Sequence, residues 1–294
     1  MSNAFSVSGI HKRYPHFALQ DIDLCLPEGQ IMGLVGVNGA GKTTLLRILT
    51  GLAQPDSGQV EVLGYAMPAQ QVAAKREIGF ASEDMRLYKG RSLRWHMDLV
   101  AAIYPGWDET YAAELVRRFD LRPEQLMAGL SHGQRVKSLL LLCLARHPRL
   151  LLLDEPTTGL DPVARAEVLD ALADVLRDEA RSVLFSSHNT HDIEQLADSI
   201  TFLHQGRVIA SEDKEHFLDS WRRMVCQADA DFDRQAFPEV AMVRRNGSML
   251  ELKIKGFSEE LAPRLEARGL AIKSSHAMSL EDIFVTTVRA GVAA

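Results

Sequence analysis

Hydrophobic and polar positions alternate in blocks along roughly the first two hundred residues, and these blocks predict strands and helices in turn. An apolar run from Ile31 to Val35 follows the turn Pro27-Glu28-Gly29 and predicts a buried strand. Leu150 to Leu153 is a second continuous apolar run, which is typical of a parallel strand buried on both faces. Because strands of this kind alternate with helical patterns, the sequence favours an α/β core.

Shorter patterns complete this predicted core. Further strands are predicted at Ser57 to Leu63, Ile78 to Ala81, Ser182 to Ser186, Ile200 to Leu203 and Arg207 to Ala210, and helices at Val163 to Leu176 and Asp192 to Ala197. The last two strands flank Gln205-Gly206, which predicts a closing hairpin.

The stretch between the strand at Ile78 and the strand at Leu150 is mostly helical in pattern. Leu87 to Leu121 is interrupted at Pro105-Gly106, after which Asp108 is placed to cap a helix. Ser131 and Gln134 have the spacing of a capping box and begin a strongly apolar helix that runs to Ala145. We therefore predict a helical insertion at about residues 84–147.

The pattern changes after about residue 220. Met224 to Ala228 and Val240 to Arg244 predict strands, and Asn246-Gly247 predicts the hairpin turn before a strand in which Leu250, Leu252 and Ile254 alternate with charged residues. A helix at Glu259 to Arg268, a short strand at Ala271 to Lys273 and a final helix from Ser279 follow. The sequence thus predicts a main domain at 1–220 and a small C-terminal α+β domain at 221–294.

The loop after the first buried strand carries the most specific chemical signal. Residues 36 to 43 read GVNGAGKT, a full GxxxxGK[ST] pattern between a strand and a helix. Backbone N–H groups of such a loop converge on phosphate oxygens, the lysine (Lys42) reaches the outer phosphates, and the hydroxyl of Thr43 binds Mg²⁺. A flexible glycine turn would explain the glycines but not Lys-Thr at this offset. The chain is therefore expected to bind a nucleoside triphosphate.

Two acids and a histidine follow later strands. Asp154 ends the strand at Leu150 and can hold Mg²⁺ directly or through water, while Glu155 can polarise a water for in-line attack on the γ-phosphate. His188 follows the strand at Ser182 and can contact the γ-phosphate. A lone histidine after a strand is more often structural, and acids at the end of a strand can simply lead into a loop. The order of these residues after the phosphate loop favours catalysis.

Composition restricts the remaining possibilities. The chain has 294 residues, 46% of them hydrophobic, and its formal net charge of −6 gives no electrostatic reason to expect nucleic acid as the main ligand. Its longest apolar stretch, Leu139 to Ala145, is far shorter than the roughly 18 residues of a membrane span, so a membrane role requires a partner. The three cysteines lack metal-ligand spacing and fit a reducing cytosol.

Leu130-Ser131-His132-Gly133-Gln134 is the most discriminating string. It nearly reproduces the LSGGQ signature, and the chain resembles the ATP-binding subunit of an ABC transporter over about residues 4 to 220. The resemblance implies a P-loop NTPase fold, specifically an ABC-type nucleotide-binding domain with a helical insertion. The segments Ile103 to Tyr111 and Ser279 to Phe284 are similar to exporter ATPases of the bacitracin-resistance and cell-envelope-stress branch.

The resemblance implies a role for individual residues. It makes Glu155, His188 and Lys42 catalytic and Thr43, Glu83 and Asp154 the residues that hold Mg²⁺. The nucleotide-binding residues that it implies are Tyr14, which stacks on adenine, Gly36, Asn38, Gly39, Ala40, Gly41, Lys42, Thr43, Thr44, the signature residues Ser131, Gly133 and Gln134, and Asp161 of the D-loop.

Two positions depart from the family pattern. His132 replaces the first glycine of the signature pair, although Gly133 still permits close approach to a phosphate. Glu83 stands where the family has the glutamine of the Q-loop, and Asp84 follows it. A carboxylate there can still coordinate Mg²⁺ or water, but its charge alters the local pKa values and the coupling to a membrane partner.

The resemblance also implies partners. ATP and Mg²⁺ are expected between two subunits, in a homodimer or in a heterodimer with a similar ATPase, and a separate integral membrane permease is expected to dock on the helical insertion. The resemblance thus implies a cytoplasmic protein that lies peripherally on the inner face of the membrane, through its permease, and belongs to an exporter. The alternative is a soluble ABC ATPase acting on DNA or ribosomes. That alternative predicts a second cassette, a coiled coil or a basic surface, and the sequence contains no signal for them.

Overall fold

The structure is a computed structural model that describes residues 2–175, 181–228 and 232–292. The chain forms two compact units, Met1–Val208 and Ile209–Ala294. The boundary predicted from the sequence is near residue 220. The structure divides the chain earlier, and the helix Lys214–Ser220, which contacts the strand Trp221–Gln227, belongs with the C-terminal part of the chain.

The strands and helices of the first unit follow one another in the predicted order. The strands are β1 (Asn3–Tyr14), β2 (Phe17–Pro27), β3 (Ile31–Val35), β4 (Ser57–Val62), β5 (Tyr65–Met67), β6 (Ile78–Ser82), β7 (Leu150–Asp154), β8 (Ser182–Ser187), β9 (Ser199–His204) and β10 (Arg207–Asp213), which ends beyond the boundary. The helices are α1 (Lys42–Leu49), α2 (Gln71–Glu77), α3 (Leu93–Ile103), α4 (Glu109–Arg118), α5 (His132–Leu144), α6 (Pro162–Val175) and α7 (Thr190–Leu196). The end predicted for α6, at Leu176, lies outside the described residues.

A six-stranded sheet in the order β10-β9-β3-β8-β7-β6 carries the site. Its central pairs are parallel, and every residue of β3, β7 and β8 is buried. The continuous apolar runs of β3 and β7 predict this burial. The register places Ser82, Asp154 and Ser186 side by side at the carboxyl ends of β6, β7 and β8. Ligands of open parallel sheets bind at this edge, so the sheet brings the candidate acids to the expected place.

The first unit has two further parts. An antiparallel sheet in the order β2-β1-β4-β5 shares a hydrophobic core with β3 and α1. The predicted helical insertion contains α3, α4 and α5. The side chains of Ser92, Asp108 and Ser131 cap these helices by accepting hydrogen bonds from backbone N–H groups, and Ser131 and Gln134 form the complete capping box that their spacing predicts.

The second unit is an α+β fold, as predicted. Its elements are α8 (Lys214–Ser220), β11 (Trp221–Gln227), β12 (Val240–Asn246), β13 (Met249–Lys255), α9 (Leu261–Glu266), β14 (Ala271–Ala277) and α10 (Leu280–Val292), with the sheet order β12-β13-β11-β14. The hairpin predicted at Asn246-Gly247 joins β12 to β13. Strand β14 is longer than predicted because it pairs with β11 as far as Ala277, although its second half is polar. Helix α9 is shorter than the predicted Glu259 to Arg268.

Candidate nucleotide-binding and catalytic site

The loop from β3 to α1 has a backbone that its glycines make possible. Gly39 and Gly41 have φ of +82° and +112°, where L side chains are strained, and Gly41 is the N-cap of α1. Gly36 is required by space, since a Cβ atom there would lie 2.5 Å from the carbonyl oxygen of Leu203. These constraints fix the path of the chain and direct the N–H groups at the start of α1 towards one point, which makes an anion site.

Lys42, the first residue of α1, is 6% exposed and lies at the centre of the site. Its Nζ donates to the carbonyl oxygen of Gly36 at 2.7 Å and forms an ion pair with Oε1 of Glu155 at 3.1 Å. The Glu155 side chain is 13% exposed, so both charges are largely removed from water. A buried pair of this kind is costly to break by removing one partner. The ammonium group is therefore held ready at the phosphate loop by a carboxylate that a phosphate group can replace.

Glu155 directly follows β7 and adopts a positive φ of +53°. Its backbone N–H donates to Ser186 O and Oγ, while its Oε2 accepts from Thr158 Oγ1 at 2.9 Å and from His188 Nδ1 at 2.8 Å. Burial acts to raise the pKa of Glu155, but Lys42 and the hydrogen bonds from Lys42, Thr158 and His188 outweigh it, so its pKa lies below the ordinary value. Glu155 is thus an ionised carboxylate at neutral pH.

Asp154 is buried beside Glu155. Its Oδ1 accepts from Ser186 Oγ at 2.7 Å and its Oδ2 from Ser82 Oγ at 3.4 Å. These serine hydroxyls come from the neighbouring strands, in register with Asp154. They satisfy two lone pairs of the carboxylate and leave others for a ligand.

A cavity of about 540 Å³ opens over these groups. Its lining consists of His16, Phe17, Asn38, Gly39, Ala40, Gly41, Lys42, Thr43, Thr44, Ser82, Glu83, Asp84, Asp154 and Glu155. The lining therefore brings together the phosphate loop, the candidate base and all three residues expected to hold Mg²⁺. Carboxylate and hydroxyl oxygens from Thr43, Glu83 and Asp154 are the hard ligands that Mg²⁺ prefers, so the donor set fits this ion.

Tyr14 and the signature residues do not line this cavity. Tyr14 is 41% exposed, with Lys12 Nζ 5.6 Å from its ring centroid, whereas His16 and Phe17 contribute to the lining. Ser131, Gly133 and Gln134 lie at the start of α5, and Asp161 caps α6 by accepting from the N–H groups of Val163 and Ala164. Within a single chain, the phosphate loop and the acids thus line one cavity, and the signature residues lie outside its lining.

Several supporting residues were not predicted from the sequence. Ser82 is the last residue of β6 and Ser186 the last but one of β8, both beside Asp154, and this position near a strand end is the signal that could have identified them. Asp192 is fully buried and accepts from Thr157 Oγ1 at 2.6 Å and from Arg165 Nε at 2.7 Å. This network ties the loop after Glu155 to α6 and to α7, the helix that follows His188. It has no signal in the sequence because its members are far apart in the chain.

Comparisons with known proteins agree with this geometry. The family model described as ABC transporter matches residues 19–158. The chain is 29% identical over 268 residues to the ABC transporter ATP-binding protein YtrB of Bacillus subtilis, covering 91% of each chain. It is 32% identical to the Nod factor export ATP-binding protein I of Rhizobium johnstonii, covering 73% of this chain and 70% of that one.

A solved structure titled as an ATP-binding subunit of an ABC transporter superposes with a TM-score of 0.67 at 27% identity, covering 74% of this chain and 92% of the other. In the described residues, no helix combines the length and the apolar character needed to cross a bilayer. The phosphate loop, the two acids and these similarities lead to one conclusion: the chain belongs to the ATP-binding subunits of ABC transporters, which are ATPases.

Proposed function

We propose that two copies of this chain close on two Mg·ATP, hydrolyse them, and so drive a separate membrane permease, with export as the direction of transport. The observation that carries this proposal is the buried Lys42–Glu155 pair beside Asp154, within the cavity that the phosphate loop lines. The residues proposed as the phosphate-binding cation, the base and a metal-binding carboxylate thus lie next to one another. This combination serves phosphoryl transfer to water.

Each group has a separate task in this proposal. The backbone N–H groups of Gly39, Gly41 and Thr43, together with Lys42, hold the phosphates. Glu155 orients and deprotonates the attacking water. His188, which donates to Glu155, orients this carboxylate and contacts the γ-phosphate. Thr43, Asp154 and Glu83 hold Mg²⁺, which when bound neutralises charge on the phosphates. The exposed ring of Tyr14 stacks on the base.

The Lys42–Glu155 pair gives nucleotide binding a direct effect on catalysis. A phosphate group that takes the lysine removes the strongest opposing charge from Glu155. The pKa of this carboxylate then rises from its lowered value, which makes Glu155 a better base only when substrate is present.

The second half of each site comes from a partner subunit in this proposal. The capped N-terminus of α5 presents backbone N–H groups around Gly133, next to the hydroxyl of Ser131, which together can bind a γ-phosphate. Since the nucleotide cavity of the same chain lacks these residues, a second subunit supplies them, either an identical copy or a similar ATPase. Loss of the γ-phosphate then removes the contacts that favour the closed dimer, and the dimer opens.

The partner that receives this motion is an integral membrane permease, which positions the protein on the cytoplasmic face of the membrane. The proposed docking part is the segment near Glu83 to Leu99 of the helical insertion, and the C-terminal unit is an accessory domain. The export direction is supported by the relative named for Nod factor export. No nucleic-acid partner is expected from a chain of formal charge −6.

Dimer formation provides the test. Glu155→Gln retains the shape of the side chain but cannot act as a base, so we expect it to form a stable dimer in Mg·ATP, measured by light scattering coupled to size exclusion. Lys42→Ala serves as the control that cannot bind ATP and is expected to remain monomeric. A Glu155→Gln protein that stays monomeric while it binds ATP contradicts the proposal.

The partner is identified separately. A tagged chain isolated from detergent-solubilised membranes is expected to retain a hydrophobic permease, and transport into or out of sealed vesicles carrying that permease gives the direction. Retention of ribosomes or DNA in place of a permease refutes the transport proposal and favours a soluble ABC ATPase.

A further inference from the structure

We propose that His132, the residue that departs from the signature pattern, is a positioning residue that holds the catalytic carboxylate of its own chain through Thr158. This inference rests on the proposed function, because it assigns a role in ATP hydrolysis. It adds a link between the signature helix α5 and Glu155 that a glycine at position 132 cannot make.

The first step is the contact between His132 and the loop after β7. His132 Nε2 lies 2.9 Å from the carbonyl oxygen of Thr158, and because a carbonyl oxygen can only accept, the ring nitrogen carries the proton and donates. The ring also fills the space beside Gly159, where an added Cβ atom would lie 3.2 Å from Nε2. His132 therefore fixes the peptide group of Thr158 by both a hydrogen bond and packing.

The second step leads from Thr158 to the catalytic group. Thr158 Oγ1 donates to Glu155 Oε2 at 2.9 Å, and the backbone N–H of Thr158 donates to the carbonyl oxygen of Glu155 at 3.3 Å. A side-chain hydroxyl can hold this geometry only while its own backbone is held. The position of Oε2, which also receives the bond from His188, thus depends on the peptide that His132 fixes.

The surroundings show why this hydrogen bond matters. His132, Glu155, Pro156 and Thr158 all line a second cavity of about 540 Å³, on the side of the loop that faces α5. A loop that borders a cavity has fewer packing contacts on that side, and packing contacts are what normally fix a conformation. The hydrogen bond from His132 crosses to the loop at this point and substitutes for part of the missing packing.

The experiment compares variants at position 132 in the full-length chain. His132→Phe retains a ring but has no donor, His132→Gln retains a donor amide, and His276→Phe, at an exposed histidine of β14, is the matched control. We measure kcat and KM for ATP hydrolysis and the Kd for ATP. His132→Phe is expected to lower kcat about three- to tenfold, the effect of losing one hydrogen bond, with an unchanged Kd. His132→Gln is expected to recover most of this loss.

A double-mutant cycle tests whether His132 acts through Thr158. Thr158→Val removes the hydroxyl that reaches Glu155, so His132→Phe is expected to have little further effect in that background. Effects on log kcat that simply add overturn the inference, as does an equal loss in His132→Gln and His132→Phe, which indicates a purely steric role.

The remaining outcomes separate this inference from the proposed function. A parent chain that hydrolyses ATP while His132→Phe has the same kcat refutes the role of His132 alone. A weaker Kd for ATP with an unchanged kcat assigns His132 to binding and also refutes the inference. A parent chain that neither binds nor hydrolyses ATP refutes the proposed function, and the inference falls with it.

Discussion

Replacing Glu155 by Gln tests the central interaction of the site before any nucleotide is added. The change removes the charge that faces Lys42 Nζ at 3.1 Å, while the lysine remains 94% buried, since its side chain is 6% exposed. Breaking a buried ion pair by removing one partner costs about 3–5 kcal/mol. Because Gln keeps an oxygen that can accept from the ammonium group, we expect the lower end of this range, about 3 kcal/mol of lost stability.

The assay is thermal unfolding of the nucleotide-free proteins at neutral pH. For a domain of about 200 residues, 1 kcal/mol corresponds to about 2–4 °C in Tm, so Glu155→Gln is expected to lower Tm by about 6–12 °C. Arg94→Gln is the control, because Arg94 is 39% exposed and forms one ion pair, with Glu109 at 2.8 Å. Exposed pairs contribute about 1 kcal/mol or less, so the control is expected to shift Tm by at most about 4 °C.

The second part of the same experiment measures the binding of ATP in the presence of Mg²⁺. In the parent chain the phosphate has to displace the Glu155 carboxylate from Lys42, whereas in the Gln variant it displaces only an uncharged amide oxygen, which costs less. The variant is therefore expected to bind ATP more tightly by about the free energy that it loses in the nucleotide-free state. About 3 kcal/mol corresponds to about a 100-fold lower Kd. Equal Tm values for the two nucleotide-free proteins, or a weaker Kd for the variant, refute the reasoning.

Three further predictions concern the surroundings of this pair. The difference in stability between the parent and Glu155→Gln is expected to be complete at neutral pH. It is expected to disappear as pH falls below 4.5, because the pKa of Glu155 in the folded chain lies under its ordinary 4.5. Unfolding measured at a series of pH values tests this. Asp192→Ala leaves Arg165 without its buried partner and is expected to cost about 3 kcal/mol or more in urea unfolding, with Asp192→Asn losing less. Glu83→Gln is expected to raise the affinity for ATP measured in EDTA, because it removes one carboxylate from the cavity lining, and an unchanged Kd would contradict this.

Local sequence patterns predict the parts of the site that depend on neighbouring residues. The phosphate loop needs left-handed or close-packed backbone at fixed spacing, and only glycine satisfies this requirement at low cost, so its pattern is visible in the sequence. Ser131 and Gln134 form their capping box within one helical turn, and this prediction is confirmed. Asp154 and Glu155 follow a continuous apolar strand, which places them at the carboxyl edge of the sheet.

Contacts between distant residues could not be predicted in this way. The pairs Lys42–Glu155 and His132–Thr158 join residues that are separated by long stretches of chain, and they depend on side-chain rotamers that no local pattern specifies. Phe17 lines the nucleotide cavity because of the turn between β1 and β2, which brings it there. The roles assigned to Tyr14 and to the signature residues stay predictions, because a single chain does not bring them to the cavity.

The charges around the cavity give a physical reason to expect a divalent cation with the nucleotide. Four carboxylates line it, from Glu83, Asp84, Asp154 and Glu155, against the ammonium group of Lys42. A triphosphate that enters without a cation would face this negative lining. The electrostatic repulsion is greatest near Asp154, which is buried. Its described side-chain contacts are with serine hydroxyls and include no cation. A divalent ion held by Asp154 would replace this repulsion with attraction for the phosphates. Glu83 in place of the family glutamine adds one carboxylate to this lining, so we expect nucleotide affinity to depend more strongly on the metal than it would with a glutamine at this position.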